Sequence, residues 1–147
     1  MPLDDALIYK RVEYLLQQIF ENLTVIGQID GNEVEEWVFD YENFAESKRF
    51  ATKWLQLADG NRIMLCEEYD IEEYELKIVR YAYIYSDMNG SELLRAENAH
   101  PHNVFTDPHH IHDFRFGKSK KPKPFQRQDL DNPDITEFFA HIRGNRL

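Results

Sequence analysis

Five of the six histidines in the chain lie between His100 and His112, inside the stretch LRAENAHPHNVFTDPHHIHDFRF that spans residues 94–116. An imidazole titrates at ~6.5, so it can give and take protons near neutrality, and its neutral ring is a common metal ligand. Both uses need several groups that converge on one point. Strand side chains alternate between faces. Arg95 and Glu97 would therefore share one face, and His110 and His112 would share one across Ile111. Two strands joined by the segment 99–109, stiffened by Pro101 and Pro108, would present a guanidinium, a carboxylate and two imidazoles to a common surface.

That set suits cleavage of RNA without a metal. The reaction needs a base for the 2′-hydroxyl proton, an acid for the leaving oxygen and a cation for the phosphorane. Arg95, Glu97, His100, His110 and His112 are the residues of the right type. In this scheme His112 and His110 exchange the protons, Arg95 stabilises the phosphorane and Glu97 orients a histidine. No cofactor is the favoured expectation. The alternative is a Zn²⁺ or Mn²⁺ centre built on His110 and His112 with His100 or His102 and a carboxylate such as Glu97 or Asp113, serving a metal-dependent nuclease or phosphoesterase; no HExxH or CxxC pattern accompanies it. A third reading is a non-catalytic interaction module whose acidic half docks a basic partner. Taken singly, a loop histidine more often bonds backbone groups than performs chemistry. His141, remote in sequence, reads as structural or as a favourable charge at a helix C-terminus.

The net charge of −10 argues against general nucleic-acid binding, yet it is unevenly distributed. Residues 1–93 hold 8 Lys and Arg against 20 Asp and Glu, whereas residues 94–147 hold 9 against 7. The histidine half is the basic half. Arg115, Lys118, Lys120, Lys121, Lys123 and Arg127 follow the histidines directly, and such a strip can hold phosphates locally because screening confines fields to ~8–10 Å. Arg115, Lys118, Lys120 and Lys121 are accordingly candidate substrate-binding residues, joined by Asn98 and His102 of the histidine segment. The lone Cys66, in the apolar run IMLC, reads as a buried small hydrophobe rather than a nucleophile.

A single α+β domain over residues 1–147 is expected to position these groups. Leu3, Leu7, Ile8, Val12, Leu15, Leu16, Ile19, Phe20 and Leu23 recur three and four apart, the stripe of a long amphipathic helix over 3–23. Strand periodicity begins near Lys48: KRFATKWLQL and RIMLCEEY flank an Asp59-Gly60 turn, and ELKIVRYAYIY, ELLRAEN and HIHDFRF follow. In ELKIVRYAYIY, Ile78, Arg80, Ala82 and Ile84 would share one face. VEEWVF is a weaker candidate strand or edge segment. The result is an antiparallel meander of four or five strands. Asn132 as cap, Pro133 in the first turn, Ile135, Phe138, Phe139 and Ile142 as the buried stripe and Gly144 as the stop define a short closing helix. No apolar run approaches the ~20 residues of a membrane span, and the N-terminus lacks a secretion signal, so a cytoplasmic location is expected.

The succession RYAYIY, LRAENAHPH and DPHHIH resembles the TumE-type toxin family of toxin–antitoxin pairs, which carries an aromatic strand, an R-x-D-N-A-x-H segment and a P-H-H-x-H segment in that order. The resemblance implicates Arg95, Asn98, His100, His110 and His112; Glu97 stands where the family usually has Asp. It implies a growth-inhibiting toxin encoded beside a helix-turn-helix antitoxin, with RNA as its target. Self-association is left open.

Overall fold

The computed structural model describes residues 3–30, 33–35, 48–99, 109–115, 123–125 and 133–144. Helix α1, Leu3–Asn22, opens the chain. Asp4 and Asp5 in its first turn complement the helix dipole, and Ile8, Val12, Leu15 and Ile19 form a stripe with no exposed surface. Among the described residues nine strands follow: β1 Val25–Asp30, β2 Glu33–Glu35, β3 Arg49–Ala51, β4 Leu55–Leu57, β5 Arg62–Glu72, β6 Glu75–Ser86, β7 Glu92–Glu97, β8 His110–Asp113 and β9 Lys123–Pro124. Helix α2, Ile135–Ile142, closes it.

The strands form one antiparallel sheet in the order β2-β1-β4-β5-β6-β7-β8-β9, with β3 also paired to β5. The α+β layout of long helix, antiparallel sheet and short helix is the expected one, but the sheet is wider than four or five strands. The stretch 48–57 breaks at residues 52–54, so that β3 and β4 each pair with β5. β1 was not expected, because Gly27, Gln28 and Asp30 interrupt its apolar pattern; it is held by pairing to β2 and β4 on its two edges. Residues 36–39 of the candidate strand VEEWVF lie outside the described residues.

Both helices contribute to a core on one face of the sheet. Ile8, Val12, Leu15 and Ile19 of α1 and Ile135, Phe138 and Phe139 of α2 join Ile63, Leu65, Tyr83, Leu94, Ala96 and Ile111. At 25 cal/mol per Å², full burial of each such side chain contributes ~1.5–3 kcal/mol, so this apolar layer fixes which way every central strand faces. Asp134, not Asn132, caps α2, its side chain accepting from the Thr136 N–H, and Pro133 precedes the helix. Gly144 ends it at φ +83°, a conformation open to glycine at no steric cost.

A bulge alters the face assignment of β6. Glu68 pairs with Arg80 but Tyr69 pairs with Ile78, leaving Val79 as the extra residue. Ile78 therefore turns into the core while Val79 is exposed, rather than Ile78 sharing a face with Arg80.

Candidate active site

Strict alternation in β7 and β8 sends Leu94, Ala96 and Ile111 into the core and Arg95, Glu97, His110 and His112 to the opposite face. Cross-strand register then aligns them: Arg95 stands opposite His112 and Glu97 opposite His110. Glu97 Oε1 lies 3.4 Å from His110 Nε2 and 3.9 Å from His112 Nε2. Its Oε2 accepts from Arg95 Nη1 at 3.2 Å. One carboxylate thus touches all three cations or potential cations of the cluster. The two imidazoles meet edge to face at 4.9 Å, and His112 stacks on Phe114. His110 has no exposed surface, whereas the His112 side chain keeps 18%.

Arg95 is anchored from its other side by Glu92, through Nε at 3.1 Å and Nη2 at 2.5 Å. The hydrogen bonds to Glu92 raise its pKa, with Glu97 adding to the effect. The guanidinium is held in place and fully charged.

Asn98 lies beside the cluster with its side chain on backbone. Its Oδ1 accepts from the Tyr81 N–H at 3.1 Å and its Nδ2 donates to the Val79 carbonyl at 3.2 Å. It latches the β6 bulge. Arg115, expected to hold substrate, is placed at the end of α2: it pairs with Asp113 at 3.1 Å and donates to the carbonyls of His141 and Ile142 at 2.7 and 3.0 Å. A cation there complements the helix C-terminus. His100, His102, Lys118, Lys120 and Lys121 lie outside the described residues.

His109 parts company with its neighbour. It is buried, its Nδ1 2.9 Å from the Tyr81 hydroxyl and its ring stacked on that tyrosine. His141 is also buried, with Nε2 3.5 Å from Glu137 one helical turn earlier. Cys66 is not a core residue. It is half-buried on the face opposite the helices, because Ile63, Leu65, Glu67 and Tyr69 take the inward positions of β5. Burial nevertheless pushes its thiol pKa up, which keeps it protonated and a poor nucleophile.

A further charged group went unforeseen. Glu67 points inward and is buried, where it accepts from Arg11 Nε at 3.0 Å and Nη2 at 2.8 Å, from the Tyr69 hydroxyl at 2.9 Å and from the Tyr83 hydroxyl. The signal was a charge in phase with apolar neighbours: Arg11 sits on the stripe of Ile8, Val12 and Leu15, and Glu67 on that of Leu65 and Tyr69. The group clamps α1 to the sheet.

Beside the catalytic candidates the sheet is hollowed. A cavity of about 310 Å³ is lined by Cys66, Glu68, Arg80, Ala82, Arg95 and Glu97 among others. It therefore shares Arg95 and Glu97 with the histidine cluster.

A family model described as Toxin TumE matches residues 22–145. The chain belongs to the TumE toxin family. The matched span contains every strand of the described residues, α2 and the Arg95–Glu97–His110–His112 cluster. α1 precedes almost all of the match. No curated protein and no solved structure gives a significant match to the chain. Among the described residues no helix is long and apolar enough to cross a membrane.

Proposed function

We propose that this TumE-family chain is the toxin of a toxin–antitoxin pair and acts in the cytoplasm by cleaving RNA at the Arg95–Glu97–His110–His112 cluster. The observation that carries the proposal is the position of Glu97, with one oxygen facing both imidazole Nε2 atoms and the other on Arg95. His112, the accessible imidazole, takes the 2′-hydroxyl proton as the 2′-oxygen attacks phosphorus. Glu97 stabilises the imidazolium that forms, and Arg95 stabilises the charge of the phosphorane. Burial of His110 favours a positioning role beneath Glu97 over direct proton exchange with substrate. His100, which the resemblance implicates, then protonates the departing 5′-oxygen, leaving a 2′,3′-cyclic phosphate and a 5′-hydroxyl. Lys118, Lys120 and Lys121 hold the RNA backbone, and a helix-turn-helix antitoxin is the partner.

A metal-dependent reading has one observation in its favour. The donor atoms of Glu97, His110 and His112 all lie within 4.8 Å of one another, and two imidazoles with a carboxylate can hold Zn²⁺ while leaving a position open. In that case the metal would activate a water or polarise the phosphate, and Glu97 would exchange its Arg95 contact for a bond to the ion.

Incubation of the purified chain with RNA, with and without chelator, separates the two. Cleavage that persists in chelator and ends in a cyclic phosphate is expected; loss restored by Zn²⁺ or Mn²⁺ favours the metal, and absence of cleavage under either condition overturns both. Expression of the chain alone should arrest growth, and co-expression of the adjacent gene should relieve it.

A further inference from the structure

The cavity next to the cluster has a simple structural cause. On the face opposite the helices, cross-strand register produces successive rows: Glu68 with Arg80, then Cys66, Ala82, Glu97 and His110, then Met64, Ile84, Arg95 and His112. In the middle row the two positions on the β5–β6 side of Glu97 carry only a thiol and a methyl group. Side-chain volume is missing there, while the rows on either side rise to Arg80 and Arg95. The hollow of about 310 Å³ sits at the lower end of the ~300–1,000 Å³ usual for small-molecule sites. That is room for one nucleotide, not for a duplex.

The charges at its rim differ in how they are engaged. Arg95 is held by Glu92 and Glu97. Arg80 is exposed, and among the described residues no ion pair is formed by it, although its cross-strand partner is the acidic Glu68, which instead lies 3.9 Å from Arg49. An uncommitted guanidinium facing a cavity is suited to forked recognition of a phosphate. We infer that the Cys66–Ala82 hollow is a nucleotide subsite of the RNA-cleaving centre, in which Arg80 grips the phosphate of the nucleotide adjoining the scissile bond and Ala82 forms the floor. The subsite rests on the RNA-cleaving role proposed above. Its grip and its floor, Arg80 and Ala82, lie outside the histidine motifs, and it places the scissile phosphate at the Arg95–Glu97 end of the hollow.

The test uses the whole chain, a fluorescein-labelled ten-nucleotide RNA of mixed sequence for cleavage, and its all-2′-deoxy analogue, which lacks the attacking hydroxyl, for binding by fluorescence anisotropy. Cys66 is the only cysteine, so iodoacetamide labelling at about pH 9, where enough of its thiol ionises to react despite the raised pKa, followed by mass spectrometry reports occupancy of the hollow directly. Saturating analogue is expected to slow labelling at least tenfold. Arg80→Ala and Ala82→Leu should each weaken analogue binding and raise KM about tenfold. The pH profile of kcat should be unchanged, and circular dichroism should confirm the fold. Cleavage by the wild type with no protection of Cys66, or with KM unmoved by both substitutions, overturns the subsite and leaves the RNA-cleaving role intact. Protection and binding without cleavage supports the subsite and overturns the cleavage role. Neither binding nor cleavage overturns both.

Discussion

Glu97 Oε1 lies 3.4 Å from His110 Nε2 because the two residues are direct cross-strand partners in β7 and β8. The contact is therefore set by backbone pairing and not by loop conformation. The same register brings Arg95 to His112. A one-residue slip would send all four groups into the helix-covered core. The buried Leu94, Ala96 and Ile111 make that slip prohibitive, so the apolar face of these strands maintains the geometry of the polar one.

Glu97→Gln keeps the volume but removes the charge facing both imidazoles. Without that charge the imidazolium formed at His112 loses its counter-ion, so kcat on RNA should fall by about 10²-fold while KM changes little. Glu97→Asp, which keeps the carboxylate, should retain most activity. Steady-state cleavage assays of the two variants check this, and equal losses in both would point to a packing role.

His112→Ala and His110→Ala should differ in kind. The first removes a partly exposed ring and is expected to abolish cleavage and growth arrest with little change in urea midpoint. The second empties a fully buried position and is expected to cost about 1–3 kcal/mol of stability as well as activity. Urea titrations monitored by tryptophan fluorescence distinguish them.

Glu67→Gln strips the charge from a buried clamp and leaves the Arg11 guanidinium, only 10% exposed in its side chain, without its counter-ion. Breaking such a pair costs about 3–5 kcal/mol. The quadruple variant Arg11→Met, Glu67→Leu, Tyr69→Phe, Tyr83→Phe should recover part of that loss, since it carries no desolvation cost and leaves no donor of the clamp unpaired. A thermal-melt comparison of the single and quadruple variants is the measurement.

Legibility of the sequence followed the strength of local pattern. The strand alternation of β7 and β8 is uninterrupted, and the face shared by Arg95, Glu97, His110 and His112 could be read from it. α1 was likewise visible in its apolar spacing. β2, β3, β4 and β9 have three residues or fewer, too short for any period to register. The bulge at Val79 could not be read, because it is enforced from 19 residues away by the Asn98 side chain. Cys66 looked like core because its neighbours are apolar; only the phase of β5, set by Ile63 and Leu65, turns it outward. The hairpin between β5 and β6 turns on Glu73 and Tyr74, both at positive φ, where Asn or Gly would have signalled it.

Alkaline pH should destabilise the protein through its buried tyrosines. Burial first, then nearby carboxylates, raise the pKa of Tyr69, Tyr81 and Tyr83 above the ordinary value of 10.0. Below pH ~10 these hydroxyls are protonated in both folded and unfolded chains, and their contribution is fully present. Above it the unfolded chain releases protons that the folded one retains, so stability falls as pH rises. Urea midpoints between pH 9 and 11.5 should decline, and Tyr81→Phe should make the decline shallower. An unchanged slope in that variant would overturn the assignment for Tyr81.

Arg115→Ala separates structure from substrate binding. The side chain pairs with Asp113 and donates to the last carbonyls of α2, so its removal leaves a helix terminus and a carboxylate together without their cation. Charge-assisted hydrogen bonds of this kind contribute about 1.5–3 kcal/mol, and a loss of that order is expected in urea unfolding. If holding α2 is its whole task, KM for RNA at a temperature where the variant is folded will equal that of the wild type. A several-fold rise in KM with unchanged stability would instead return Arg115 to the RNA-binding strip, and the salt dependence of KM would then weaken by about one phosphate contact.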